Sequence, residues 1–254
     1  MSTTTTITAA EINKLRQTTG AGMMDCRKAL VESGGDFEKA IDYLRKKGQK
    51  VAALRSDREA KEGVIIARTT ADQKTGLIIT LACETDFVSK NAEFVAVAQS
   101  IMDVAIKNNV KTLDELKRCK LENATVSDKI DDQVAKIGEK IQLARFERID
   151  AEAVASYIHG AYRMGVLVGL NMNTPVALEA GREVAMQIAA MNPVAVDQDS
   201  VSKDMIEREK AIVTDQIRND PKMAGKPDEM IPKHRGKKNP ALKRDILFNL
   251  IVLF

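Results

Sequence analysis

Apolar residues recur along this chain with two different periods, and the change from one to the other divides it. Up to about residue 55 the spacing is helical. Thr8 caps a first helix with Glu11 as its capping-box partner, and Ile7 can staple against Ile12. Gly20-Ala21-Gly22 interrupts the pattern. A second helix then carries Met23, Cys26 and Leu30 on one face and stops at Gly34-Gly35. Asp36 caps a third, with Phe37, Ala40, Ile41 and Leu44 at i, i+3, i+4 and i+7. Lys46-Lys47-Gly48 and the polar run Arg55 to Glu62 read as a linker.

From Gly63 strand-like runs take over. Val64 to Ala67 and Leu77 to Cys83 predict two strands joined by a turn over Asp72 to Gly76. The turn Thr85-Asp86-Phe87-Val88 leads into a long helix with Phe94, Val97, Ile101 and Val104 at core spacing. Further helices are expected to about Glu139, then strands at Ile141 to Ile149 and Met164 to Met172. Pro175 opens a helix with Leu178, Val184, Ile188 and Met191 on one side. Ser202 to Asp220 predicts a charged helix with a thin stripe of Met205, Ile212 and Ile217, broken at Pro221. A strand led by glycine and followed by a helix occurs at Gly76 and again at Gly165, a weak internal repeat. The fold class is therefore α+β. A three-helix bundle (1–55) precedes two similar sheet-plus-helix halves (56–140 and 141–200), a helical arm (201–230) and a tail (231–254).

Composition narrows the function. Of 254 residues 44% are hydrophobic and only 4% aromatic, with no Trp, so aliphatic residues and 11 Met supply the core. Cys26, Cys83 and Cys119 are odd in number and unpaired in pattern, as expected of reduced thiols in the cytoplasm. The amino terminus has no signal-peptide pattern, and no apolar run approaches the ~20 residues that cross a bilayer, so no membrane role is expected. Net charge is +3, but residues 230–254 hold six Lys/Arg against one acid, leaving the remainder at −2. A folded nucleic-acid binder would carry a basic face through its core, so no specific nucleic acid is expected.

Catalytic signatures are missing as well. There is no phosphate-binding loop, and Gly20-Ala21-Gly22 follows a helix where a dinucleotide fingerprint needs a strand. The chain has two histidines, and only His159 lies in the patterned region, so acid–base or metal chemistry has little to work with and no cofactor or metal is expected. The informative residues are apolar ones beside turns. Neighbours on a helix lie about 100° apart, so Met23 and Met24 cannot both face inward. Phe87 has two readings: a ring folded into the core with Asp86 capping the helix, or a ring turned outward to a partner.

Three blocks carry a family resemblance. Thr85-Asp86-Phe87-Val88 after a strand resembles the signature of elongation factor Ts. Leu15 to Leu30, containing Arg16, Gly20-Ala21-Gly22-Met23-Met24-Asp25-Cys26, is similar to that family's amino-terminal signature. Tyr157-Ile158-His159-Gly160 with Gly165 to Val168 is the third, and the blocks stand in family order between Ile7 and Met230. The resemblance implies a UBA-like amino-terminal module, a two-part core and an antiparallel coiled-coil arm. It implies a nucleotide exchange factor for the GTPase elongation factor Tu, bound in its nucleotide-free and GDP-bound states, that makes no covalent bond. Phe87 would wedge near the GTPase magnesium site with Thr85, Asp86 and Val88 around it. Arg16, Met23 and Met24 would hold a helix of the nucleotide domain. Ile137, Gly138 and His159 would line the surface near the wedge.

Two other readings remain open at this point. One is an RNA- or ribosome-associated adaptor, favoured by ten Lys/Arg against six acids through Arg55. The other is an enzyme using Cys26 or Cys83 as nucleophile. After Met230 the visible family pattern gives out. The chain becomes basic and helix-hostile, then ends in Ile246 to Phe254, with eight apolar residues in nine. A shifted reading frame would produce such an end. The expectation is an incomplete second half lacking its returning strand, with an open edge that the nine-residue apolar tail can fill in its own molecule or a neighbour's, a loose end after Met230, and weak self-association through the exposed tail.

Overall fold

The computed structural model describes residues 7–193, 195, 200–218 and 250–253. Helices α1 (Ala9–Thr19), α2 (Met23–Glu32) and α3 (Phe37–Leu54) form the amino-terminal bundle. Thr8 and Glu11 make the expected capping box, and the Asp36 side chain accepts from the Lys39 N–H at 3.1 Å. Leu15, Cys26, Ala29, Leu30, Ala40 and Leu44 form the bundle's small core.

Helix α3 corrects the linker expectation. It runs through Lys46-Lys47-Gly48 to Leu54, and Gly48 is buried inside it. A Cβ on Gly48 would lie 3.0 Å from both Ala135 Cβ and the Asp131 carbonyl oxygen. Glycine there lets α3 approach the helix carrying those residues, and that packing outweighs its poor helix propensity.

The rest is built from two three-stranded antiparallel sheets. Strands β1 (Glu62–Thr69) and β2 (Thr75–Cys83) form a hairpin. Then come the single turn α4 (Asp86–Ser89), helices α5 (Ala92–Lys107) and α6 (Leu113–Arg118), and a small hairpin β3 (Lys120–Leu121) and β4 (Ala124–Thr125) where only helices were expected. Helix α7 (Val126–Ile137) leads to β5 (Gln142–Asp150). The sequence boundary at 141 puts β5 in the second half, yet it pairs with β2, giving the order β1-β2-β5. Leu143 and Phe146 on β5 join the core under α5, and nothing in their spacing marks which strand they adjoin.

The second sheet contains β6 (Ala153–His159), β7 (Met164–Leu170) and β8 (Leu250–Leu253) in that order. Helices α8 (Pro175–Met191) and α9 (Lys203–Arg218) lie between β7 and β8 in sequence. The returning strand expected to be missing is thus supplied by residues 250–253, whose backbone pairs with Gly165 to Val168. An unpaired strand edge carries a row of open N–H and C=O groups, and a short apolar segment satisfies them. The arm's return (219–230) and most of the tail (231–249) lie outside the described residues.

The alternate faces of each strand divide between two cores. Val64, Ile66, Leu77 and Ile79 pack under Phe94, Ala98 and Ile101 of α5. Ile65, Ala67 and Ile78 face the other way and meet Val154 and Leu167 of the second sheet. Val166 and Val168 then pack against Ala185, Ile188 and Ala189 of α8. The layers run helix, sheet, sheet, helix. Both faces of β1, β2 and β7 are buried, so they read as continuous apolar runs. The two repeat glycines sit where the sheets meet. A Cβ on Gly76 would fall 2.6 Å from Val154 Cγ1, and one on Gly165 2.7 Å from Ile65 Cγ2.

Candidate functional site

The Thr85-Asp86-Phe87-Val88 turn closes the end of β2 and starts α4, a helix of four residues. Phe87 is 83% exposed, whereas Phe94 is 1% exposed and takes the aromatic place in the core. Val88 packs inward against that core. Of the two readings of Phe87, the outward one is the geometry found. Asp86 pairs with Lys90 at 2.6 Å. That hydrogen bond, followed by the Lys90 and Arg163 charges, holds the Asp86 carboxyl below the usual range.

The turn is fixed from a distant part of the chain. Helix α7 ends at Gly138, in the left-handed region at φ 81°, and the chain turns directly into Glu139. The Glu139 carboxylate accepts from the backbone N–H of Glu84 (3.1 Å), the backbone N–H of Thr85 (3.0 Å) and the Thr85 hydroxyl (2.6 Å). In return the Lys140 N–H donates to Glu84 at 2.5 Å. Arg55 and Arg58 also reach Glu84, and the Lys140 ammonium donates to the carbonyls of Ser56 and Arg58. The true connector after α3, the β2–α4 turn and the α7–β5 turn are therefore one hydrogen-bonded unit. Ile137 is half-buried against the main core, beside Gly138.

The amino-terminal block is joined to this unit through Lys136. Its ammonium pairs with Glu93 at 2.7 Å near the start of α5. Its stem lies where a Cβ on Gly20 would be, 3.0 Å away. Next to that contact Met23 is 44% and Met24 71% exposed, and Arg16 is exposed on α1. Neither methionine enters the bundle core.

His159 ends β6, exposed, with the Tyr157 hydroxyl 2.9 Å from its Nδ1. The next three residues, Gly160, Ala161 and Tyr162, have φ of 62°, 54° and 72°. Two non-glycine residues in that region cost roughly 1–2 kcal/mol each. The Tyr162 carbonyl accepts from the Ile65 N–H at 2.8 Å, and Arg163 pairs with Glu62 at 3.1 Å. These contacts pin the strained turn to the first sheet, where Arg163 also acts electrostatically on Asp86.

The structure thus joins the Thr85-Asp86-Phe87-Val88 turn to Ile137 and Gly138 through Glu139, sets Gly20, between Arg16 and Met23-Met24, against Lys136, and brings the His159 turn in through Arg163. Glu139, Lys136, Glu84 and Arg163 were not singled out from sequence. Glu139 lies 54 residues from Thr85, and no local pattern connects them. The thiols are poorly placed for chemistry. Burial pushes Cys83 up to about 12 and raises Cys26 and Cys119 as well, so none forms an appreciable thiolate at neutral pH. Among the described residues no helix is long and apolar enough to cross a membrane, and no cluster of three or more metal-ligating side chains occurs.

Comparison with known proteins places the chain in a family. The family model described as Elongation factor TS matches residues 84–248, running past Met230, where the motifs visible in the sequence give out. The chain is 47% identical to elongation factor Ts of Christiangramia forsetii, over 89% of this chain and 81% of that one. It is 48% identical to the same factor of Cytophaga hutchinsonii, over 96% and 87% of the two chains. With the factor of Chlorobaculum tepidum the identity is 42%, over 89% and 80%.

Proposed function

The chain belongs to the elongation factor Ts family, and from that premise we propose that it promotes GDP release from elongation factor Tu by inserting Phe87 beside the GTPase magnesium and phosphate site. Members of this family are nucleotide exchange factors that act in translation elongation without bond chemistry of their own. The observation carrying the finer reading is an aromatic side chain left 83% exposed on a turn that is otherwise tightly hydrogen-bonded. Such a ring is costly to leave in water and is positioned to fill a partner's pocket.

The wedge works by linkage. If the factor lowers GDP affinity by some ratio, GDP lowers factor affinity by the same ratio. The factor therefore binds the nucleotide-free GTPase best and the GDP-bound form less well, and incoming nucleotide expels it. Phe87 displaces side chains near the magnesium site, with Asp86 adding a carboxylate there. Met23, Met24 and Arg16 grip a helix of the nucleotide domain, methionine being an adaptable apolar contact. Ile137, Gly138 and His159 border the wedge. An aromatic anchor of this kind costs at least ~2 kcal/mol when truncated, about thirty-fold in an equilibrium. The direct test is release of a fluorescent GDP from elongation factor Tu with and without the chain. Acceleration at substoichiometric factor is expected, and its absence would defeat the reading.

A further inference from the structure

Phe87 makes its own orientation problem. Its ring is exposed, so no packing sets its direction, and α4 is only four residues long. A single helical turn does not hold itself together in water. Thr85 occupies the capping position of α4, but its hydroxyl gives no side-chain cap to the helix. That hydroxyl is spent on Glu139.

We propose that Glu139 is a positioning residue for exchange, which fixes the Thr85–Val88 backbone and thereby aims Phe87 at the GTPase. The inference rests on the exchange reading given above. One carboxylate receives three donors from two successive residues, so it fixes the orientation of the peptide entering α4 as well as its place. Donor bonds to a charged acceptor are roughly twice as strong as neutral ones. The pairing is reciprocal, because Glu84 accepts from the Lys140 N–H while Glu139 accepts from the Glu84 N–H. Sliding one turn past the other therefore breaks both. Gly138 ends α7 immediately before Glu139, which ties the Ile137-Gly138 surface to the Phe87 turn. The two would reach a partner as one rigid edge.

The experiment uses the full chain carrying Glu139→Ala or Glu139→Gln, each alone and combined with Phe87→Ala. On the chain alone, amide hydrogen exchange at Glu84 and Thr85 should quicken on the order of tenfold in Glu139→Ala, the scale of one charge-assisted hydrogen bond. Amides within β2 should keep their protection. With elongation factor Tu, the maximal rate of GDP release should fall on the order of tenfold, with Glu139→Gln intermediate because one acceptor oxygen remains. In the Phe87→Ala background the same changes should add nothing, which a purely structural role would not produce. Unchanged amide protection would overturn the proposal, and so would a rate loss that persists in full without the Phe87 ring. If the unaltered chain fails to accelerate release, the exchange reading falls, while amide protection still decides whether Glu139 holds the turn.

Discussion

At the residue scale, exposed apolar side chains separate function from packing. Met24 is exposed and outside the bundle core, so Met24→Ala should leave stability within ~0.5 kcal/mol by chemical denaturation. It should raise the factor concentration needed for half-maximal exchange about fivefold, near 1 kcal/mol of binding. The cysteines should behave oppositely, being buried or half-buried and held protonated. Alkylating reagent at pH 7 should leave exchange undiminished, and a proportional loss of activity with labelling would restore the thiol reading. The outward position of Met24 was legible in part, since adjacent helical residues cannot share a face. Phe87 was not, because an apolar residue on a strand-to-helix turn can fold either way. What decides it is competition: Phe94 and Val88 already fill the adjacent core.

At the element scale, the docking of α3 on α7 carries the amino-terminal module. Gly48→Val should cost about 1–3 kcal/mol of stability, because the added methyl groups meet Ala135 and the α7 backbone. Denaturant titration checks it, and a neutral result would mean that the helices have room to part. The same interface buries part of Asp131, and burial, then Asp128 and Asp132, raises its carboxyl above the ordinary range. An acid raised in the folded state favours folding most when protonated, below its unfolded pKa, and that contribution is lost as pH rises through the folded value. Asp131→Asn should therefore raise the melting temperature at pH 7, and the gain should shrink as pH falls through the carboxylate range. The three amino-terminal helices, the β1–β2 hairpin, strand β7 and the repeat were readable from period and punctuation, whereas β6 was not among the expected strands. The α3 extension was hidden because glycine reads as a breaker until a neighbouring backbone needs its missing Cβ. The placement of β5 was hidden because strand periodicity names a face and leaves the neighbour open.

At the scale of the whole molecule, two sheets share one interface, and the edge proposed to meet the GTPase is assembled from turns that are far apart in sequence. The second sheet depends on β8, which covers the edge of β7. A chain ending before Leu250 should self-associate more than the full chain, since the open β7 edge becomes a template for pairing. Sedimentation at rising concentration tests this, and equal behaviour of the two chains would show that β7 needs no cover. Sequence pattern proposed the blocks of this edge but not the connections between them, because Lys136–Glu93 and Glu139–Thr85 join residues 43 and 54 positions apart. In the exchange reading this scaffold turns Phe87 toward a partner and not into its own core. The rate of fluorescent GDP release from elongation factor Tu driven by Phe87→Ala, with the melting temperature of the same sample, tests that orientation. A ring that serves the partner gives a loss of about thirty-fold in exchange with an unchanged melting temperature. Undiminished exchange, or a melting temperature that falls as for a core truncation of about 3–5 kcal/mol, would contradict it.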